Sequence, residues 1–210
     1  MEAPKPETVL NEVSPLFPVV YTALDLGTYK TREFFEQQEH LDFRDINRYL
    51  APNLVRFYAL QHLRLNEIAL FTLENVSNNG IHLSHERYNI RVLKSNHERL
   101  PVPGHSISRQ QYYHQQGILD LLDSQGNRLA DRWNLLLLWN VISGYHLGSL
   151  SLACPQAGGQ TRESVLAHWH CAIPEGLIFG SFDNDAPESS EVHDLPLELN
   201  IDESEIEDSK

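Results

Sequence analysis

The chain is poor in cysteine, methionine and tryptophan, with 2, 1 and 3 of them among 210 residues. Two cysteines exclude a disulfide-stapled mini-domain and a zinc-ribbon array. Eleven glycines and 11 prolines are too few for a collagenous or wholly disordered chain. Long apolar runs are missing as well. The most apolar stretch, Leu135–Trp139, has five residues before Asn140 interrupts it, and a membrane span needs about 20. Residues Met1 to Glu12 show neither the basic start and apolar run of a secretory signal nor the Arg-rich pattern of a transit peptide. The expectation is a cytoplasmic protein with free thiols and no membrane partner.

Basic residues are also scarce, 16 Lys+Arg against 29 Asp+Glu, for a formal net charge of −13. That charge is unevenly placed. From Asp183 to Lys210 there are 11 acidic residues and one basic, a balance of −10, which leaves −3 for the rest. The body is therefore nearly neutral, and the low overall pI is no argument against a phosphate-bearing partner. Hydrophobic residues at 41% and charged ones at 21% suit a globular core.

The order of patterns points to an α+β fold: N-terminal helices packed on a largely antiparallel, hairpin-built sheet, with a disordered acidic C-terminal tail. Three segments are expected: an extended N-terminal arm over 1–29, a single α+β domain over 30–182, and the tail over 183–210. Helical signals begin at Thr31. Pro52 breaks the chain, and Asn53 caps a helix to about Glu67, with His62 in its apolar arc as a core histidine. After Ala69 the period becomes two. Leu70–Val76 and Ile81–His85 flank an Asn-Gly turn, and Tyr88–Lys94 sets Tyr88, Ile90 and Val92 on the face of Ile81 and Leu83. Arg109–Gln116 reads as a short polar helix.

The last third reads as a three-stranded meander. Trp133–Ile142 and Tyr145–Cys154 flank Ser143-Gly144, which pairs Ile142 with Tyr145. A second loop leads to Val165–Ile173 and pairs Cys154 with Val165. This register puts Leu135, Leu137, Trp139, Leu150, Leu152, Cys154, Val165, Ala167, Trp169 and Cys171 on one face, with Ser149, Ser151, His168 and His170 on the other. It also sets Cys171 opposite Gly148, about 20 Å from Cys154, too far for a disulfide.

Chemistry-bearing candidates are few. His168 and His170, two apart on a strand, share a face and could chelate a metal, but zinc needs further ligands and Cys171 points away. Gly104-His105-Ser106-Ile107-Ser108 echoes a nucleophile elbow with Ser in place of the last Gly. Two prolines precede it, so Ser106 or Ser108 is expected to cap a helix instead. The order helix, hairpin, strand resembles that of restriction-type nucleases, whose metal site needs a carboxylate at one strand end and Glu-x-Lys on the next. Lys94 ends a strand, yet Val92 stands two before it, and acid-x-Lys occurs at Asp208-Ser209-Lys210. H-E-x-x-H, G-x-G-x-x-G and G-x-x-x-x-G-K are absent, and no cofactor is implied.

For nucleic acid, the best stretch is Arg87 to Arg109. Arg87, Arg91, Lys94, Arg99 and Arg109 would contact phosphate, and Tyr112 and Tyr113 would stack on bases. In the tail, Leu195, Leu197, Leu199 and Ile201 alternate like a strand that docks along a sheet edge, spanning about 20 Å. The leading expectation is a non-enzymatic binding or regulatory protein acting on a protein partner through this tail. The alternatives are a nucleic-acid-associated factor, and a metal-dependent hydrolase or inactive nuclease-like protein.

Overall fold

A computed structural model of the chain describes residues 3–38, 50–66, 68–76, 80–95, 99–103, 106–115, 132–160 and 164–180. The fold is α+β, with N-terminal helices laid on a six-stranded, mostly antiparallel sheet. The acidic tail, including Leu195, Leu197, Leu199 and Ile201, lies outside the described residues.

The segment expected as an extended arm is helical instead. Helix α1 spans Pro6–Val13 and α2 spans Leu16–Glu36. Their prolines sit where a helix tolerates them, Pro6 at the first position of α1 and Pro18 in the first turn of α2. Val9, Val13, Phe17, Val20, Leu24, Thr28 and Thr31 form one buried stripe at three- and four-residue steps. The two threonines are satisfied within the helix. Thr28 donates to the Asp25 carbonyl at 2.8 Å and Thr31 to the Gly27 carbonyl at 2.7 Å.

Helix α3 spans Leu50–Leu65 and buries Ala51, Val55, Ala59, Leu60 and Leu63. Pro52 does not precede this helix but occupies its first turn, where no intrahelical N–H is required. Gly27 lets α2 and α3 approach closely, since a Cβ there would stand 2.5 Å from the Val55 carbonyl oxygen. His62, expected in the core, is partly buried.

The strands follow in spatial order β1 (Thr72–Leu73), β2 (Ile81–Ser84), β3 (Tyr88–Lys94), β4 (Trp133–Ile142), β5 (His146–Gln160) and β6 (Val165–Ala172). β2 and β3 pair antiparallel, Ile81 with Val92 and Leu83 with Ile90, two positions from the register a turn at His85-Glu86 would set, and the expected face of Tyr88, Ile90 and Val92 is kept. β3 and β4 are parallel, with Tyr88 opposite Trp133 and Lys94 opposite Trp139. The connection between them carries α4 (Ile107–Tyr113), which covers part of the second sheet face. β4 is therefore covered on both sides: Leu135, Leu137 and Trp139 meet the N-terminal helices' cluster, Leu136 and Leu138 meet Tyr112 and Tyr113. A short helix α5 (Glu175–Phe179) sets Phe179 edge-on to Tyr21, ring centroids 5.0 Å apart.

The meander forms with a different register. The β4–β5 turn has three residues, Ser143 to Tyr145, with Gly144 and Tyr145 left-handed (φ 73° and 59°), so Ile142 pairs with His146. A bulge on β5, where Gly148 and Ser149 lie opposite Asn140 alone, adds one more step, and Trp139 faces Leu150. Cys154 pairs with Trp169, not Val165, before two further irregularities. The slips of two and four positions are even, so Leu150, Leu152 and Cys154 stay on the face of Leu135, Leu137 and Trp139. Val165 is displaced by the bulges to the α4 side, against the cluster of Leu136 and Ala153. The cysteines are also nearer than expected. Cys171 faces Leu152, so Cys154 is its diagonal neighbour, about 7–8 Å away and still too far to bridge. Both are free.

Candidate binding face of the sheet

The face opposite α1, α2 and α3 carries the polar side chains of the strands, and α4 covers only part of it. Asn134 clamps α4 in place. Its side-chain amide donates to the Tyr112 carbonyl at 2.9 Å, its backbone N–H donates to Gln115 Oε1 at 2.8 Å, and Gln115 Nε2 donates to the Asn134 and Pro155 carbonyls at 2.9 and 2.7 Å. Asn134 is 2% exposed, a buried polar residue that sequence reading did not single out.

This arrangement divides the seven residues expected to bind nucleic acid. Arg87 is ion-paired to Glu12 of α1, and Tyr88 donates to the same carboxylate at 2.5 Å. Lys94 lies on the helix side, 5.9 Å from the Trp139 ring and 5.4 Å from the Tyr145 ring, and burial pushes its pKa down. Tyr112 and Tyr113 are internal, at 3% and 1% exposure. The Tyr112 hydroxyl lies 2.6 Å from the Asn89 carbonyl and 2.7 Å from that of Leu135, and Tyr113 donates to the Pro101 carbonyl at 2.5 Å. Neither ring is presented to stack on a base; both are core, because α4 must bury its sheet-facing side. Arg91, Arg99 and Arg109 remain on the α4 side.

Beyond α4, the sheet surface forms an open groove of about 1080 Å³ lined by Ser95, Arg99, Leu138, Asn140, Ser149, Ser151, His170 and Ala172 among others. Opposite the β5 bulge, the Asn140 carboxamide lies along the groove, where Nδ2 donates to Ser149 Oγ at 3.2 Å. Gly148 is needed for that placement, since a Cβ there would fall 2.0 Å from Asn140 Oδ1. His170 Nε2 is 2.9 Å from Ser151 Oγ across the β5–β6 pair.

A serine beside an imidazole is also what a hydrolase requires. Here Ser151 sits mid-strand in β5, paired with Leu138 of β4 and Ala172 of β6, and not on the sharp strand-to-helix turn that exposes a nucleophilic serine. His168 does not join His170 at a common site. Its ring stands edge-on to Trp133, centroids 6.0 Å apart. Among the described residues no group of three or more His, Cys, Asp or Glu could hold a metal ion. Burial pushes the Cys154 thiol up to about 12, and burial with the nearby Glu7 raises Cys171, the opposite of what a nucleophilic cysteine needs. Ser106 occupies the position before α4 but makes no side-chain cap; its Oγ meets Ser108 Oγ at 3.0 Å.

Among the described residues no helix is long and apolar enough to cross a membrane. No known protein family, curated protein or solved structure matches the chain.

Proposed function

We propose that this is a non-enzymatic binding protein that receives an acidic, extended segment of a protein partner in the groove between Arg99 and β6. One observation carries the reading: three adjacent strands turn hydrogen-bonding side chains into an open groove while the opposite face of the same strands is packed under helices. β6 ends the sheet, so a segment laid beside it gains backbone hydrogen bonds while its side chains meet His170 and Ser151. Arg99 is exposed, and no described carboxylate pairs with it, which favours an acidic residue in that segment. The alternating leucines of the acidic tail would supply the complementary kind of contact on the partner. Two free thiols suit a cytoplasmic setting.

The test is a photo-crosslinking residue at Ser149 in native cells. A discrete adduct is expected that disappears with Arg99→Glu and with Ser151→Trp, which fills the groove. The same adduct from a crosslinker at exposed Arg64 on α3, or indifference to both substitutions, refutes the reading. A second reading, association with nucleic acid, draws on Arg91, Arg99 and Arg109 sharing one side. A gel shift at low salt that weakens steeply as salt rises would favour it over the groove.

A further inference from the structure

Apart from the groove, the α4 side holds a charge with no counter-charge among the described residues. His82 on β2 and Arg91 on β3 are direct cross-strand partners, so both project to the same side. The Arg91 guanidinium lies 4.4 Å from the centre of the Tyr112 ring. Arg91 is only 8% exposed, and its Nε has no hydrogen-bond partner. Arg109 stands one helical turn before Tyr112 on α4, exposed to solvent. Arg56 of α3 also carries a buried Nε without a partner, and burial first, then the charge of Arg109, lowers its pKa.

A guanidinium keeps its charge when buried, so the charge must be met by something. The face of Tyr112 meets part of it. Among the described residues no carboxylate pairs with Arg56, Arg91 or Arg109. Instead like charges gather: burial and, after it, Arg109 lower the pKa of Arg91, and burial with Arg91 and Arg109 keeps His82 neutral. Such a cluster is stable once an anion sits in it. The planar fork of arginine matches a tetrahedral oxyanion through paired N–H donors, and a neutral imidazole adds one more.

We propose that Arg91, Arg109 and His82 form a binding site for the phosphoryl group of a small phosphate compound. Exposed Arg109 makes the first contact, and Arg91, held by Tyr112, fixes the anion from below. The site stands apart from the groove and does not depend on it.

Thermal unfolding of the full chain with inorganic phosphate or ADP, against chloride at equal ionic strength, tests this. A saturable rise in the midpoint is expected, with line broadening of the phosphate phosphorus resonance. Arg109→Gln, at an exposed position, should weaken the apparent affinity at least about tenfold, since a charge-assisted contact is lost. Arg91→Met should abolish the response; should that variant fail to fold, Arg109→Gln decides alone. Arg99→Glu should leave the phosphate response unchanged. A midpoint that moves no more with phosphate than with chloride overturns the proposal, as does an Arg109→Gln variant with unaltered affinity. Loss of the response in Arg99→Glu would place the anion in the groove and overturn it equally. Binding of a single-stranded oligonucleotide that needs Arg109, with none of phosphate or ADP, would assign the cluster to nucleic acid instead.

Discussion

Acidification should unfold this protein partly through one imidazole. His82 is held neutral by burial, and next by the positive charges of Arg91 and Arg109, which bring its pKa from 6.5 down to about 3. In the unfolded chain the same ring takes a proton near pH 6.5. Between these two values the unfolded state binds more protons, so stability rises with pH and is lost on acidification from about 6.5 towards 3. At pH 7 the contribution is nearly constant. At pH 5 the unfolded ring is almost fully protonated and the folded one is not, which costs about 2 kcal/mol. For a urea m-value of about 2 kcal/mol/M, the unfolding midpoint drops by about 1 M from this group alone. Carboxylates and His85 titrate in the same range, so the measurement is a difference. Urea unfolding followed by far-UV circular dichroism at pH 7, 6 and 5, in acetate and MES buffers, is compared between wild type and His82→Gln. The variant should lose about 2 kcal/mol less than wild type between pH 7 and pH 5. Equal losses in the two proteins would show that His82 is protonated in the fold, and the reasoning from burial would be wrong.

Gly27→Ala should destabilise by about 1–3 kcal/mol, because the new methyl would force α2 from the Val55 carbonyl, and thermal melts would show it. Leu150→Asp should cost several kcal/mol, on the order of the whole stability margin, since it sets an unpaired carboxylate among Leu137, Trp139 and Leu152; a variant with unchanged near-UV dichroism would refute the packing. Both thiols should react with Ellman's reagent in denaturant under non-reducing conditions. In the native protein Cys154 should be silent at pH 8 and Cys171 slow, and rapid native reaction of both would contradict their burial.

Alternation proved the most readable signal in this sequence, and its limits are instructive. Leu150, Leu152 and Cys154 could be assigned to the face of Leu135 and Leu137 although every pairing was off, because period two survives any even slip. What alternation cannot reveal is a bulge. The bulge at Gly148–Ser149 and the left-handed Tyr145 each add a residue; a strand glycine marks the first, and nothing in the tyrosine marks the second. The run Leu135–Trp139 also meant more than a strong strand. Consecutive leucines without a polar face are what a strand covered on both sides requires, and its parallel partner β3 is the reason. The basic stretch is divided by the same geometry: Arg91 and Lys94 are three apart on one strand and point to opposite faces. Helix α1 and most of α2 lie where an extended arm was expected, because Pro4, Pro6, Pro15 and Pro18 favour extended chain except in a first helical turn, although Val9, Val13, Phe17, Val20 and Leu24 hold a helical period throughout. The meeting of Arg91 with Tyr112 depends on where the connection from Ser95 to Arg132 lands its helix, and no local pattern encodes that.

The tie between Trp169 and the start of the chain has a consequence for folding kinetics. The indole N–H of Trp169, on the last strand, donates to the Pro4 carbonyl at 2.8 Å, and α1 and α2 bury Val9, Val13 and Phe17 in one cluster with Leu150 and Leu152. A chain emerging from the ribosome therefore exposes the apolar sides of its first helices long before β5 and β6 exist to cover them. The parallel β3–β4 pair adds to the delay, since it forms only after the intervening connection has closed a loop. High sequence separation of this kind slows the final docking step. The apolar faces of the nascent N-terminal helices thus stay uncovered until β6 arrives.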